Sequence, residues 1–106
     1  MPYARGPMTE AMYYVLLALM NPSHGYQLMQ EIATVSNGRL NMGPGTLYGL
    51  LIRMQKEGSI KLEETDGRRK VYRITTEGRA ALRAEYERLK AMMRDGEAIE
   101  GGELDG

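Results

Sequence analysis

The residues best equipped for chemistry fall into two clusters. The first is Gly43-Pro44-Gly45-Thr46-Leu47-Tyr48, followed by Arg53 and Lys56; the second is Arg68-Arg69-Lys70. The small residues opening the first cluster let it approach another backbone. Threonine and tyrosine beside them can reach phosphates or base edges in a DNA groove. Three adjacent cations suit phosphate contacts, because each phosphate neutralised releases counterions. The candidate DNA-binding set is therefore Pro44, Gly45, Thr46, Tyr48, Arg53, Lys56, Arg68, Arg69 and Lys70. Each cluster also has a plainer reading, a solvated helix face or a charged hairpin turn, and Tyr48 could instead pack against the preceding helix. Glu63, Glu64 and Asp66 dilute the field of the second cluster.

Catalytic chemistry is poorly supplied. His24 is the only histidine, with no second polar cluster around it, and reads as a local hydrogen-bonding residue. Without cysteine there is no disulfide, thiolate metal site or thiol nucleophile. No Gly-Lys-Ser/Thr follows the Gly43 turn, so it is not a nucleotide phosphate loop. No enzyme activity, metal or cofactor is expected.

The elements that must position these clusters are legible from spacing. Thr9 caps a first helix in which Met12, Val15, Leu16 and Leu19 recur at i, i+3, i+4, i+7, and Asn21-Pro22 ends it. Ser23 is expected to cap a second helix with a stripe of Tyr26, Met29, Ile32 and Ala33, Leu28 beside it, closed by Asn37-Gly38. Pro44 opens a third helix whose inner stripe is Leu47, Leu50, Leu51 and Met54, leaving Tyr48, Gly49, Ile52, Arg53 and Lys56 on the other side. Gly58 ends it. Ile60/Leu62 and Tyr72/Ile74 alternate around an Asp66-Gly67 turn, which makes a hairpin with the cations at its tip. Thr75 or Thr76 caps a fourth helix that fades near Asp95-Gly96. The fold class is mostly α with a small β-hairpin (α+β), a winged helix-turn-helix followed by one more helix.

The chain has 106 residues, of which 42% are apolar, and a formal net charge of zero. That zero conceals an asymmetry. From Arg94 onward one basic residue faces five acidic ones, a net of −4; before it 13 basic residues face 9 acidic, a net of +4. A basic body with an acidic tail hints at nucleic acid as partner. No apolar run approaches the ~20 residues of a membrane span, and the N-terminus lacks the apolar core of a signal peptide. A cytoplasmic location without membrane contact is expected.

Leu82, Tyr86, Leu89 and Met93, with Met92 beside them, form an apolar stripe on the fourth helix. It either packs on its own domain or seals a dimer, and a dimer suits a palindromic operator. The expected division is 9–76 for the winged helix-turn-helix, 77–95 for the C-terminal dimerisation helix and 96–106 for a disordered acidic tail.

Several segments together resemble the PadR family of transcriptional regulators: His24-Gly25-Tyr26-Gln27-Leu28, Gly45-Thr46-Leu47-Tyr48, Lys56-Glu57-Gly58-Ser59-Ile60, Gly67-Arg68-Arg69-Lys70 and Tyr72-Arg73-Ile74-Thr75-Thr76-Glu77-Gly78. The resemblance implies a winged-helix homodimer, usually a repressor, with Thr46 and Tyr48 on the recognition helix, Arg68, Arg69 and Lys70 at the wing, and the fourth helix in the dimer interface. The short length is similar to that of the single-domain subfamily. Some short members bind flat aromatic drugs between the dimer helices beside a tryptophan; this chain has no tryptophan, and Leu89 stands roughly at that place. Any small-molecule effector is expected in a dimer cavity lined by Met12, Tyr13, Tyr86, Leu89, Met92 and Met93, with planar dyes bound weakly and a filled apolar interface favoured. The competing readings are a winged-helix module acting through protein contacts and a small-molecule-binding regulator built on that cavity.

Overall fold

The computed structural model describes residues 7–65 and 69–102, with backbone alone at Glu64, Thr65 and Arg69. In chain order it has α1 (Glu10–Ala18), α2 (Gly25–Val35), α3 (Pro44–Glu57), β1 (Ile60–Thr65), β2 (Arg69–Ile74) and α4 (Thr76–Asp95), then a 3-10 turn at Glu97–Ile99. Composition gives no signal for that last turn, because its residues lie in an acidic, glycine-rich stretch.

Thr9 caps α1, its side chain accepting from the Met12 amide at 3.1 Å. Met12, Val15, Leu16 and Leu19 are buried as the spacing requires, but α1 ends at Ala18, before Asn21-Pro22. The cap of α2 differs from expectation: His24 holds the position, its Nδ1 accepting from the Gln27 amide at 3.4 Å. Ser23 is pulled into the sheet instead, exchanging two backbone hydrogen bonds with Tyr72 at 2.8 and 3.1 Å. The inner stripe of α2 is also shifted. Gly25, Leu28 and Ile32 are buried, Met29 is half-buried, and Tyr26 is 64% exposed.

Leu47, Leu51 and Met54 of α3 are fully buried. α3 ends in Gly58 at φ 85°, a left-handed conformation that glycine adopts without a Cβ penalty. The strands pair antiparallel from Ile60↔Ile74 to Thr65↔Arg69. Ile60, Tyr72 and Ile74 turn into the core with the helical stripes. The Asp66-Gly67 turn lies outside the described residues.

Thr75 caps α4 by accepting from the Gly78 amide at 3.0 Å, and its hydroxyl donates to the Gly58 carbonyl at 2.6 Å. A Cβ on Gly78 would stand 2.1 Å from the Ser59 carbonyl oxygen, so only glycine permits this closeness. The end of α3 and the start of α4 are thereby locked together. Three helices, a hairpin and a following helix make a winged helix-turn-helix of α+β class.

Candidate nucleic-acid interface

The inner stripe of α3 is committed to the core, which turns Tyr48, Gly49, Ile52, Arg53 and Lys56 outward; all five are exposed. The first turn of α3, Pro44, Gly45 and Thr46, is exposed as well, and Gly43 provides no side-chain cap. Uncapped amides at a helix N-terminus favour an anion. A Cβ added at Gly45 would meet nothing within 4 Å, so this turn is open to approach.

Tyr48 is 40% exposed, but its ring leans inward on α2. A Cβ on Gly25 would lie 2.0 Å from the Tyr48 hydroxyl oxygen and 2.6 Å from Cζ. The ring therefore rests on the bare backbone of the first turn of α2, with one edge left to solvent. Arg53 pairs with Glu57 one turn on, Nε to Oε2 at 3.1 Å. Lys56 is exposed, with no ion-pair partner among the described residues.

On the hairpin, Lys70 is exposed and sits opposite Glu64 in the register. Arg68 lies outside the described residues, and Arg69 enters as the backbone that opens β2. Sequence reasoning passed over two further cations. Lys61 and Arg73 face each other across the strands and share Glu63, at 3.3 and 2.9 Å. Arg73 first, then Lys61, holds the Glu63 carboxyl below the ordinary carboxylate range. The alternation of charged and buried residues along β1 and β2 could have flagged this outer face.

The α4 stripe divides. Leu82 is 8% exposed and belongs to the core of its own domain, whereas Tyr86, Leu89, Met92 and Met93 are exposed. Beside them, Tyr13 and Leu17 of α1 and Met20 just after it face Arg79, Arg83 and Tyr86 of α4 across a groove of about 410 Å³. Glu85 was not singled out from the sequence. It is 7% exposed and clasped by Arg88, which with the Met8 amide outweighs burial and keeps its carboxyl below the usual range. Arg88 three residues later on one helix face was the available signal.

Among the described residues, no helix is long and apolar enough to cross a membrane, and no group of three or more acidic or histidine side chains could hold a metal.

Residues 15–84 match the model of the Transcriptional regulator PadR-like family. The chain is 40% identical over 78 residues to Transcriptional regulator Rv3488 of Mycobacterium tuberculosis, covering 71% of this chain and 70% of that one. It is 39% identical over 77 residues to a 37.1 kDa protein in transposon TN4556 of Streptomyces fradiae; that match covers 72% of this chain but spans only 22% of the relative's length. Among solved structures, a PadR family transcriptional regulator from Eggerthella lenta superposes with a TM-score of 0.63 at 33% identity, covering 81% of this chain and 72% of that one.

Proposed function

The chain belongs to the PadR-like family of transcriptional regulators, and from that premise we propose that it is a cytoplasmic, homodimeric repressor binding a palindromic operator. Regulators of this family are not in general enzymes. The division of labour proposed here is that Pro44, Gly45, Thr46, Tyr48, Arg53 and Lys56 enter the major groove while Arg68, Arg69 and Lys70 hold the flanking backbone. What supports it above all is the outer face of α3: an uncapped, small-residue first turn followed by exposed polar and basic groups, anchored by the fully buried Leu47, Leu51 and Met54 with Leu50 half-buried beside them.

We further propose the boundaries 9–76 for the DNA-binding domain, 77–95 for the dimerisation helix and 96–106 for an acidic tail outside the core. The exposed Tyr86, Leu89, Met92 and Met93 favour a partner helix, because that much contiguous apolar surface gains most when a second copy covers it. Two recognition helices would then face half-sites about 34 Å apart, one turn of DNA. The groove of about 410 Å³ between α1 and α4 supports a second, compatible reading, an effector bound beside the dimer helices.

The test is selection of an operator from random duplexes by the pure protein, followed by binding measurements across a salt series. Arg69→Ala should weaken specific and random DNA alike and lower the salt slope by about one. Thr46→Ala should weaken the selected operator more than random DNA, by ~1–3 kcal/mol where it meets a base. Equal losses on both DNAs for both variants would remove the assignment.

A further inference from the structure

A second hollow, about 500 Å³, lies between the C-terminal end of α1 and one face of α2. Gln27, Gln30, Glu31 and Thr34 recur at i, i+3, i+4 and i+7, so they share that face. Asn21 adds an amide from the linker, and Leu17, Ala18 and Val35 supply apolar wall. Each polar side chain of this wall carries an oxygen acceptor, and none of the lining residues is a cation. Gln30 donates through Nε2 to the Tyr26 hydroxyl at 3.4 Å, leaving its own oxygen as an acceptor.

Glu31 is the one charged residue of the wall. Its Oε1 is buried and has no hydrogen-bond partner among the described residues. A carboxylate oxygen in that condition is uncommon and unfavourable, because folding has removed its water without replacing it. The helix ends act in the same direction. α1 stops at this wall with no basic residue in its last turn, and the last turn of α2, which contributes Thr34 and Val35, has none either. Both C-termini carry partial negative charge, so they add to the potential of Glu31.

We propose that this hollow binds a small organic cation, an alkylguanidinium or alkylammonium ion, on Glu31. A guanidinium brings several N–H donors in one plane to a wall of oxygen acceptors. Its alkyl stem lies on Leu17, Ala18 and Val35, and a small rotation of the Glu31 carboxylate supplies the missing partner. Leu17 is the only lining residue shared with the α1–α4 groove, and no α3 or hairpin residue takes part. The site is therefore independent of the DNA reading.

Butylguanidinium chloride is the probe, with butanol and sodium butyrate as controls, followed by ¹⁵N–¹H spectra of the full chain. Saturable shifts are expected at the side-chain amides of Asn21, Gln27 and Gln30 with the cation, and not with butanol or butyrate. Glu31→Gln keeps the shape and removes the charge. It should weaken binding roughly tenfold, the worth of one charge-assisted hydrogen bond, with an unchanged circular dichroism spectrum. Val35→Arg places a tethered guanidinium at the hollow and should block the probe. Absence of saturable shifts, equal affinity in Glu31→Gln, or shifts centred on Tyr13 and Tyr86 would overturn the proposal.

Discussion

Replacing Gly25 with alanine tests how α3 is held. The substitution adds one methyl group, and that methyl would fall 2.0, 2.6 and 2.8 Å from Oη, Cζ and Cε1 of Tyr48. No rotamer choice at alanine can relieve this, so either the ring leaves or α2 and α3 part. The ring is the cheaper mover, because it is already 40% exposed. Full burial of a large apolar side chain contributes ~1.5–3 kcal/mol, so expelling a ring that is little more than half covered costs about 1–2 kcal/mol. Alanine gives part of this back, since Gly→Ala at an unstrained helical position stabilises by roughly 0.4–1 kcal/mol through the unfolded state. The net loss in the parent chain should be about 1 kcal/mol, or roughly 4–8 °C in melting temperature for a domain of this size.

The sign should reverse when the ring is absent. In a Tyr48→Ala background the three atoms that the methyl would strike are gone, so Gly25→Ala should stabilise. The coupling between the two sites is then about 1–2 kcal/mol, well above the ~0.3–0.5 kcal/mol scatter of independent sites. Urea unfolding of the four proteins at one fixed concentration measures it, the concentration being held because dimer formation would otherwise shift the midpoint. Additive effects, with Gly25→Ala equally harmful in both backgrounds, would refute the strut. On the selected operator Gly25→Ala should behave like a loss of Tyr48, though the two residues lie on different helices.

The dimer proposal predicts that Leu89→Glu, which would bury an unpaired charge against a partner helix at a cost of several kcal/mol, gives a monomer or an aggregate by light scattering; a stable soluble dimer would sink it. Glu85 is held below its ordinary value chiefly by the Arg88 hydrogen bond, so its contribution is present above the unfolded carboxylate value and is lost as pH falls through the lowered one. Glu85→Gln should therefore flatten the acid limb of a stability–pH curve measured by denaturant while leaving the neutral region's slope unchanged. Ending the chain after Gly96 removes four acids and no base, and should keep the melting temperature while raising DNA affinity at low salt, where an anionic segment competes best with phosphate; loss of the fold would show the segment to be structural.

Much of the fold was legible because its signals are local. Proline at the start of α3, glycine at its end and apolar spacing at 3.6 residues each act within one turn of helix. The errors came where a distant partner decided. Ser23 has the better side chain for a cap, yet its backbone completes a bridge to Tyr72, nearly fifty residues away, and the cap passes to His24. Tyr26 fits the periodicity of α2, but Leu28 and Ile32 meet α1 and α3, so the stripe rotates and leaves Tyr26 in solvent. The candidate site was readable in composition and not in orientation. The spacing alone could not tell whether Tyr48 reaches outward or leans on α2; a glycine at position 25, without side chain, is what admits the ring.

That same dependence on close contacts bears on how α4 could influence α3. Thr75 joins the start of α4 twice to the two residues that follow α3, through its hydroxyl to the Gly58 carbonyl and its amide to the Ser59 carbonyl at 3.0 Å. Gly78 adds a backbone approach that no side chain could enter. At the other end of α3, Tyr48 on Gly25 fixes the first turns to α2. α3 is thus pinned at both ends, and a rotation of α4 about this junction would strain the partly buried hydrogen bond from Thr75 to Gly58. In the proposed dimer, a ligand favouring one spacing of the two α4 helices over another would move both α3 helices relative to the proposed half-sites, to the extent of its differential affinity and no further.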